Sequence, residues 1–256
     1  MDVLVCIKRV PDVAGSVTLT DDAMGVDARH VGYAVSPHEE CAVELAIQVA
    51  KDTDGQATVL TLGSSDAVEQ LRNALALGCT AAVLVEADGE AHGPADVAAA
   101  IADVVRAHEA AGTTYDLVLL GNDASDTGDF QVGIRLAYLL DRPVVAGINT
   151  ISVAADRVAA RGAAPDGGTE VYDVALPAVL TVMEGGVEPR YPSIPGRMKA
   201  KKVVVEEVVP TGVPVGSGRR TLTLPEAPPS QVALLGSGPE AAAAVVDLFE
   251  KIGVMR

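Results

Sequence analysis

A polar loop in the middle of the chain is the best candidate for a ligand site. Residues 121–129, with the sequence Gly-Asn-Asp-Ala-Ser-Asp-Thr-Gly-Asp, follow an apolar run and precede a helical pattern. Such a loop can present backbone N–H groups and hydroxyls to a phosphate. The loop also contains three aspartates. Each phosphate added beyond the first would lie close to their uncompensated carboxylates, and this repulsion disfavours a triphosphate. The loop predicts a monophosphate held by Ser125, Thr127 and amides near Gly128, although an ordinary polar strand-to-helix connection fits the same residues equally well.

The sequence lacks the common catalytic and metal-binding motifs. No GxGxxG follows the first apolar run, and neither GxxxxGK[ST] nor GxSxG occurs. The histidines have neither metal-ligand spacing nor an adjacent nucleophile, and only His38, at a helix start, is a candidate for the site. The cysteines have no CxxC spacing and lie in apolar surroundings, which favours reduced structural thiols over a disulfide framework or a zinc site: Cys6, Cys41 and Cys79. We predict no metal site and no catalytic side chains.

Charge and composition exclude several classes of partner. The formal net charge of −16 argues against nucleic acid and anionic membranes, because both need a basic surface. No apolar stretch has membrane-spanning length, and the N-terminus does not resemble a signal peptide, so we expect a cytoplasmic protein without membrane insertion. Lys8 and Arg9 are expected to be solvated. The concentrated basic segment is Arg190–Lys202, where Tyr191 and Ile194 lie between prolines, a composition suited to protein docking.

An alternation of apolar runs and helical patterns predicts the elements that position the loop. The predicted buried strands are residues 3–7, 57–62, 81–86, 116–120 and 144–148. The predicted helices are residues 37–50, 66–77, 94–111 and 130–140, the first with a Ser36/Glu39 capping box. This order predicts an α/β fold with a mostly parallel doubly wound sheet, whose ligands bind at the carboxyl ends of the strands.

The second half of the chain departs from this alternation. Residues 150–154 and 169–176 predict an exposed β-hairpin, spanning about residues 149–176, around the Asp166-Gly167-Gly168 turn. A buried strand at 177–182 follows, then a Gly/Pro-rich segment of about residues 184–202 and a Val-rich run at 203–209. We predict one α/β domain over residues 1–209. Residues 210–256 are predicted to form an extended arm and a last helix, capped by Ser237 and Glu240.

Several segments together resemble the beta subunit of electron transfer flavoproteins, in the adenine nucleotide alpha-hydrolase-like family. They are Val-Cys-Ile-Lys-Arg-Val-Pro-Asp at residues 5–12, Ser36-Pro37, Leu-Ala-Leu-Gly-Cys at 75–79, the loop from Gly121 through Gln-Val-Gly at 131–133, and Glu-Pro-Arg-Tyr-Pro-Ser-Ile-Pro-Gly at 188–196 with Met-Lys-Ala-Lys-Lys at 198–202. They occur in order over residues 1–209, with a compatible arm and final helix beyond. The resemblance implies that the arm and helix, residues 210–256, pack on the partner subunit.

The resemblance implies an electron carrier rather than an enzyme. It implies a heterodimer with a larger alpha subunit that carries most of the FAD contacts, AMP bound in this chain, a flavin dehydrogenase as donor and a quinone oxidoreductase downstream. The implied nucleotide contacts are Cys6, Ser36, Pro37, His38, Glu39, Leu62, Gly63, Gly121, Asn122, Asp123, Ala124, Ser125, Asp126, Thr127, Gly128, Asp129, Phe130, Gln131 and Val132. The implied FAD-proximal positions are Val13 and His38. The implied docking residues are Arg190, Tyr191, Ile194, Pro195, Met198 and Lys199.

Three positions depart from the family pattern, and two other functions remain open. Val13 and His38 stand where the family often has aromatic residues, and Ala164 replaces an acidic residue that helps engage the dehydrogenase. Some relatives bind a second FAD instead of AMP and bifurcate electrons from NADH, but the 121–129 loop lacks the Arg or Lys and the Gly-Asp-Thr pattern associated with them. A stand-alone nucleotide-binding module would not need residues 184–202 or the arm.

Overall fold

The apolar runs predicted as buried strands form the centre of a single large sheet. The computed structural model describes residues 1–12, 17–27, 29, 31–226 and 232–255. The strands are β1 Val3–Cys6, β2 Val10–Asp12, β3 Gly32–Ala34, β4 Ala57–Gly63, β5 Ala81–Glu86, β6 Leu117–Gly121, β7 Val144–Val153, β8 Arg157–Ala163, β9 Thr169–Ala175, β10 Ala178–Val182 and β11 Val205–Val208. The α-helices are α1 Pro37–Asp52, α2 Val68–Leu77, α3 Pro94–Ala110, α4 Val132–Leu140, α5 Ile194–Ala200 and α6 Ala242–Lys251.

The order of the strands creates a crevice beside β1. The sheet runs β11-β5-β4-β1-β6-β10-β7-β8-β9, and it is parallel from β11 to β7. The chain leaves β1 for β4 and β5 on one side, then returns across them to β6 on the other side. The order therefore reverses between β1 and β6, the position at which ligands bind in open α/β sheets. The predicted mostly parallel α/β fold is confirmed.

Alternating strand residues build one hydrophobic core on each face of the sheet. Val3 and Val5 point to the face covered by α1 and α2, whereas Leu4 and Cys6 point to the face covered by α3 and α4. Alanines on the helices bring these layers close together, and Tyr115 is a fully buried aromatic residue in this otherwise aliphatic interior. Both faces of β1 are buried, so its carboxyl end is held firmly at the crevice.

The antiparallel extension contains a strand that the sequence analysis missed. The predicted hairpin joined residues 150–154 directly to 169–176, but β8 lies between them and pairs with both β7 and β9. Its sequence, rich in Ala, Arg and Gly, has weak β-propensity. Val158 and Ala160 are nevertheless fully buried, so packing on the core outweighs local preference. The turn at Asp166-Gly167-Gly168 is correct, with Ala164 N donating to Gly168 O at 3.0 Å.

The segment predicted as a Gly/Pro-rich loop contains a short helix, α5. The Ser193 side chain caps it by accepting a hydrogen bond from Gly196 N at 3.1 Å, and Pro195 occupies the first turn. The signal was therefore present in the sequence as Ser-Ile-Pro. The prediction of a partner-recognition loop over about residues 184–202 was therefore wrong in that these seven residues are helical.

The chain divides into two units, Met1–Leu222 and Thr223–Arg256. The second unit contains α6, which follows a 3-10 turn at Gly238–Ala241. Ser237 is at the N-cap of that turn, but its side chain makes no capping hydrogen bond, so the predicted Ser237/Glu240 box does not form. The division at residues 209 and 210 stays a prediction. No helix in the described part of the chain is long and apolar enough to cross a membrane.

Candidate functional site

The loops after β4, β1 and β6 lie side by side because these strands are neighbours in a parallel sheet. Lys8, just after β1, reaches across the reversal point to the loop after β6, where its Nζ lies 2.8 Å from Asp126 Oδ1. Cys6, Leu62, Gly63 and the residues from Gly121 onward are therefore at one edge of the sheet. The fold brings the main segments of the predicted nucleotide site together.

The predicted capping box opens α1 at this edge. Ser36 Oγ accepts a hydrogen bond from Glu39 N at 3.3 Å, and Glu39 Oε2 accepts one from Ser36 N at 3.1 Å. Glu39 is buried, and burial raises the pKa of its carboxyl to about 7, although hydrogen bonds from Ser36 and the Lys8 amide oppose that rise. The start of α1 thus holds a proton-binding group with a pKa near neutrality beside the crevice.

Gly121 allows α1 to approach the end of β6. A Cβ atom on Gly121 would lie 2.6 Å from Glu39 Cγ and 3.3 Å from Glu39 N. Only a residue without a side chain leaves room for this contact. The contact fixes the spacing between the first turn of α1 and the first residue of the polar loop.

His38 links α1 to two loops. Its Nδ1 accepts a hydrogen bond from Glu184 N at 3.0 Å, which leaves Nε2 as the nitrogen that carries the proton in the neutral ring. Nε2 lies 3.0 Å from Asp123 Oδ1. The ring is thereby oriented between the loop after β6 and the loop after β10, and its side chain is only 16% exposed.

The 121–129 loop is closed by its own backbone and leaves one hydroxyl unpaired. Thr127 N and Gly128 N both donate to Ala124 O, at 3.2 and 2.7 Å. Gly128 has a φ of 64°, a conformation that suits glycine. Thr127 Oγ1 is buried and has no hydrogen-bond partner among the residues that the structure describes. A buried hydroxyl of this kind is costly unless a ligand or a water pairs with it.

The side chain of Asn122 is fixed by Thr181, a residue that was not identified from the sequence. Thr181 Oγ donates to Asn122 Oδ1 at 2.6 Å and accepts from Gly147 N at 3.0 Å. Thr181 lies on β10 and is 4% exposed. A buried threonine in an otherwise apolar strand is the signal that could have revealed it, since buried hydroxyls need partners.

The electrostatics of the loop differ from the prediction. Asp126 pairs with Lys8, so this carboxylate is compensated, whereas Asp123 Oδ1 lies 3.0 Å from His38 Nε2 but is buried without a hydrogen-bond partner among the described residues. Lys8 and Arg9, which were expected to be solvated, also have partners, although the Lys8 side chain is still 40% exposed. Lys8 is occupied by Asp126, and the Arg9 guanidinium lies 3.3 Å from the centre of the Tyr33 ring. Lys8 reaches the loop because β1 and β6 are adjacent, a long-range relationship that the local sequence does not show.

Other predicted contacts have different surroundings. The Cys6 thiol is buried, and burial raises its pKa, so it remains a protonated packing group. Gln131 precedes α4 and accepts hydrogen bonds from Arg135, while Phe130 is 57% exposed. Val13, predicted to lie near FAD, falls outside the described residues. The described residues contain no cluster of three or more His, Cys, Asp or Glu side chains that could hold a metal ion.

The predicted docking residues form an exposed apolar patch on and before α5. Ile194 and Met198 are one helical turn apart and are 78% and 63% exposed, and Tyr191 is 92% exposed. Arg190 behaves differently, because its Nε and Nη2 donate to the two oxygens of Glu44 on α1, each at 2.7 Å. We define the docking patch as Tyr191, Ile194 and Met198.

Comparison with known proteins decides the family. The sequence profile described as "Electron transfer flavoprotein domain" matches residues 24–212. The chain is 35% identical over 209 residues to the electron transfer flavoprotein subunit beta of Bacillus subtilis, covering 81% of this chain and 79% of the relative. It is 33% identical over 237 residues to the human electron transfer flavoprotein subunit beta, covering 90% of each chain.

The chain belongs to the electron transfer flavoprotein beta-subunit family. A third relative, the electron transfer flavoprotein subunit beta of Syntrophomonas wolfei, is 36% identical over 203 residues, covering 79% of this chain and 77% of the relative. The profile match takes in α1, the polar loop and α5. Membership connects the chain with electron transport and flavoproteins.

Proposed function

We propose that this chain binds AMP at the edge formed by β1, β6 and α1, and that it forms one wall of an FAD site shared with a larger alpha subunit. The observation that carries the AMP site is the buried, unpaired Oγ1 of Thr127 in a strand-to-helix loop at the reversal point of the sheet. Such a loop is a common phosphate-binding position in α/β folds. Ser125, which is exposed in the same loop, supplies a second hydroxyl.

The loop fits a single phosphate better than three. Lys8 is already occupied by Asp126, so its charge is not free to neutralise a β- or γ-phosphate. The Thr127 hydroxyl would donate to the phosphate, and the Gly128 amide would join it only by giving up its bond to Ala124 O. Further phosphates would add negative charge beside Asp123 and Asp129, which no lysine or arginine pairs with among the described residues.

Calorimetry on nucleotide-stripped protein tests this site. We expect AMP to bind more tightly than ATP, and Thr127→Val to weaken AMP binding by about tenfold or more, since a hydrogen bond to a charged group is lost. Thr113→Val, at an exposed position after α3, is the matched control and should bind AMP normally. Tighter binding of ATP, or normal AMP binding by Thr127→Val, would contradict the proposal.

The proposed role is that of an electron carrier subunit without catalytic side chains. FAD supplies the electron chemistry when bound, while the protein binds it, orients it and keeps water away. In this chain His38 supports the proposed FAD wall, since its ring is fixed by Glu184 N and lies beside Asp123. The proposed donor is a flavin dehydrogenase and the proposed acceptor a downstream quinone oxidoreductase.

The docking patch is the proposed contact with redox partners. Exposed aliphatic and aromatic side chains close together are typical of interface anchors, and Ile194 and Met198 lie on one side of α5. Proline on both sides of Ile194 reduces the freedom that docking would remove. Lys199, Lys201 and Lys202 would steer an acidic partner surface toward the patch and make association salt-dependent.

A further inference from the structure

The docking patch sits on a helix that cannot be stable by itself. Helix α5 has only seven residues, and isolated helices of this length do not persist in water. Two of its outward residues, Ile194 and Met198, are mostly exposed, so little burial of large side chains holds it in place. Its position must depend on contacts with neighbouring elements.

Two small residues allow α5 to lie directly on α2. A Cβ atom on Gly196 would be 2.3 Å from Ala76 O, so the two backbones are in contact there. Ala200, one turn later, is 2% exposed and belongs to the core that α1 and α2 cover. Such contacts set how closely the helices approach but contribute little apolar burial and no directional bond.

A directional bond comes from Arg72 on α2. Its Nη1 donates to Ala200 O and to Val203 O, each at 2.5 Å. These carbonyls belong to the last residue of α5 and to the turn that leads into β11, where helices have unpaired acceptors. One guanidinium therefore ties the end of α5 and the following turn to α2.

The charge of the surroundings makes this arrangement specific. Arg197, Lys199, Lys201 and Lys202 lie in or next to the same turn, so another cation beneath it is electrostatically unfavourable apart from its carbonyl bonds. The contribution of Arg72 therefore comes from its bonds to the two carbonyls, both of which the hydrogens of Nη1 make. At the other end of the segment, Arg190 is fixed to the buried Glu44 of α1.

We propose that Arg72 is a positioning residue for docking, which holds α5 in the conformation that presents Ile194 and Met198 to the redox partner. This inference rests on the proposed docking role of α5. Arg72 does not touch the partner itself, since it lies beneath the helix. Because Arg72 orders α5 in advance, α5 loses less conformational entropy when the redox partner binds.

Hydrogen exchange on the heterodimer, without a redox partner, tests whether Arg72 holds α5 in place. In Arg72→Gln, exchange of the backbone amides of residues 194–203 should be about tenfold faster, because bonds from a charged donor are lost. The exchange rate in Arg72→Lys should lie between those of wild type and Arg72→Gln. Arg72→Lys replaces Arg72→Gln as the test variant if the latter does not fold. The matched control is Arg106→Gln, which removes a similar 2.5 Å bond from Arg106 to Leu139 O between α3 and α4. It should leave the amide exchange rates of residues 194–203 unchanged. Unchanged exchange in both Arg72 variants would overturn the proposal.

Electron transfer from the flavin dehydrogenase that reduces the heterodimer, itself reduced by its own substrate, tests whether this conformation of α5 serves docking. The Arg72 variants should need several times more dehydrogenase for half-saturation, while transfer at saturation and nucleotide content stay unchanged. Faster exchange with an unaltered half-saturating concentration would overturn the positioning role. Ile194→Ala, measured in parallel, separates the two proposals: if it transfers normally, α5 is not the docking element and the proposed function fails; if it is impaired while the Arg72 variants are normal, only the positioning role fails.

Discussion

Gly121 at the end of β6 and Glu39 in the first turn of α1 lie in contact across the reversal point of the sheet. A Cβ on Gly121 would be 2.6 Å from Glu39 Cγ. Glu39 also completes the capping box that begins α1 and carries a carboxyl with a raised pKa. The position of the polar loop, the start of α1 and the protonation of Glu39 are therefore coupled.

Replacing Gly121 with alanine should push α1 away from β6. We expect Gly121→Ala to lower the free energy of unfolding by about 1–3 kcal/mol, the usual cost of overpacking a tight contact, and to reduce the nucleotide content. Urea denaturation and nucleotide analysis measure the two effects. Gly89→Ala is the control, because a Cβ there meets nothing within 4 Å. Equal stability of both variants would mean that α1 adjusts freely.

The raised pKa of Glu39 predicts a pH dependence of stability. Burial raises the pKa of this carboxyl from about 4.5 to about 7, so between these values the folded state binds a proton that the unfolded state releases. Its stabilising contribution is present below about pH 4.5 and is lost as the pH rises to about 7, by a total on the order of 3 kcal/mol.

Comparison with Glu39→Gln isolates this contribution. The difference in unfolding free energy between wild type and Glu39→Gln should change steadily between pH 4.5 and 7, in favour of the variant at the higher pH. Nucleotide-free protein should be used, with urea denaturation at several pH values. A difference that stays constant with pH would show that the carboxyl of Glu39 titrates alike in both states.

The pair of Arg190 and Glu44 fixes the chain just before the docking patch. Burial, the largest single influence, raises the pKa of Glu44, but hydrogen bonds from Arg190 and Gln48 together outweigh it and lower the pKa. The side chain of Glu44 is 6% exposed and that of Arg190 is 39% exposed, so Arg190→Ala leaves a buried carboxylate without its counter-ion. We expect it to lower the unfolding free energy by about 1–3 kcal/mol, between the values for surface and buried pairs.

A double-mutant cycle with Glu44→Gln tests whether the loss comes from the pair. The double variant should be more stable than the sum of the single changes implies, since no unpaired charge remains. Arg157 on β8 pairs with Asp173 on β9, and both side chains are exposed, so the pair offers a control: Arg157→Ala should change stability by less than about 1 kcal/mol. Simple additivity of Glu44→Gln and Arg190→Ala would mean that the two groups act independently.

Ile194→Ala tests the docking patch. Because this side chain is 78% exposed, the substitution should leave the melting temperature and nucleotide content nearly unchanged. It should lower the rate of electron transfer from the dehydrogenase at subsaturating concentration by roughly tenfold or more, as truncating an interface anchor does. Val171→Ala, at an exposed position on β9, is the control. A lower melting temperature with normal transfer would assign Ile194 to packing within its own subunit.

The local sequence predicts the elements of this fold better than their contacts. Strands β1, β4, β5 and β6 and the capping box of α1 follow from apolar runs and the Ser36-Pro37 start, because these signals are local. Strand β8 was missed because only burial of Val158 and Ala160 makes it a strand. Helix α5 was missed although Ser193 and Pro195 signal its start.

The same contrast holds for the candidate site. The polar loop and the start of α1 could be located from strand order, since parallel strands end at one edge. The pairing of Lys8 with Asp126 could not be predicted, because the two residues are far apart in the sequence and meet only when β1 and β6 become neighbours. Thr181 contacts the loop from a strand that the local pattern describes simply as apolar.

Identifying the nucleotide released from the purified chain tests the central claim most directly. The chain, prepared without the alpha subunit, should release about one AMP per molecule after acid treatment and show little or no flavin absorbance, because the Thr127 loop is proposed to hold AMP and the alpha subunit most of the FAD contacts. The heterodimer should release the same AMP together with one FAD. Stoichiometric FAD released from this chain alone, with no AMP, would contradict the account and favour a bifurcating subunit with its own flavin.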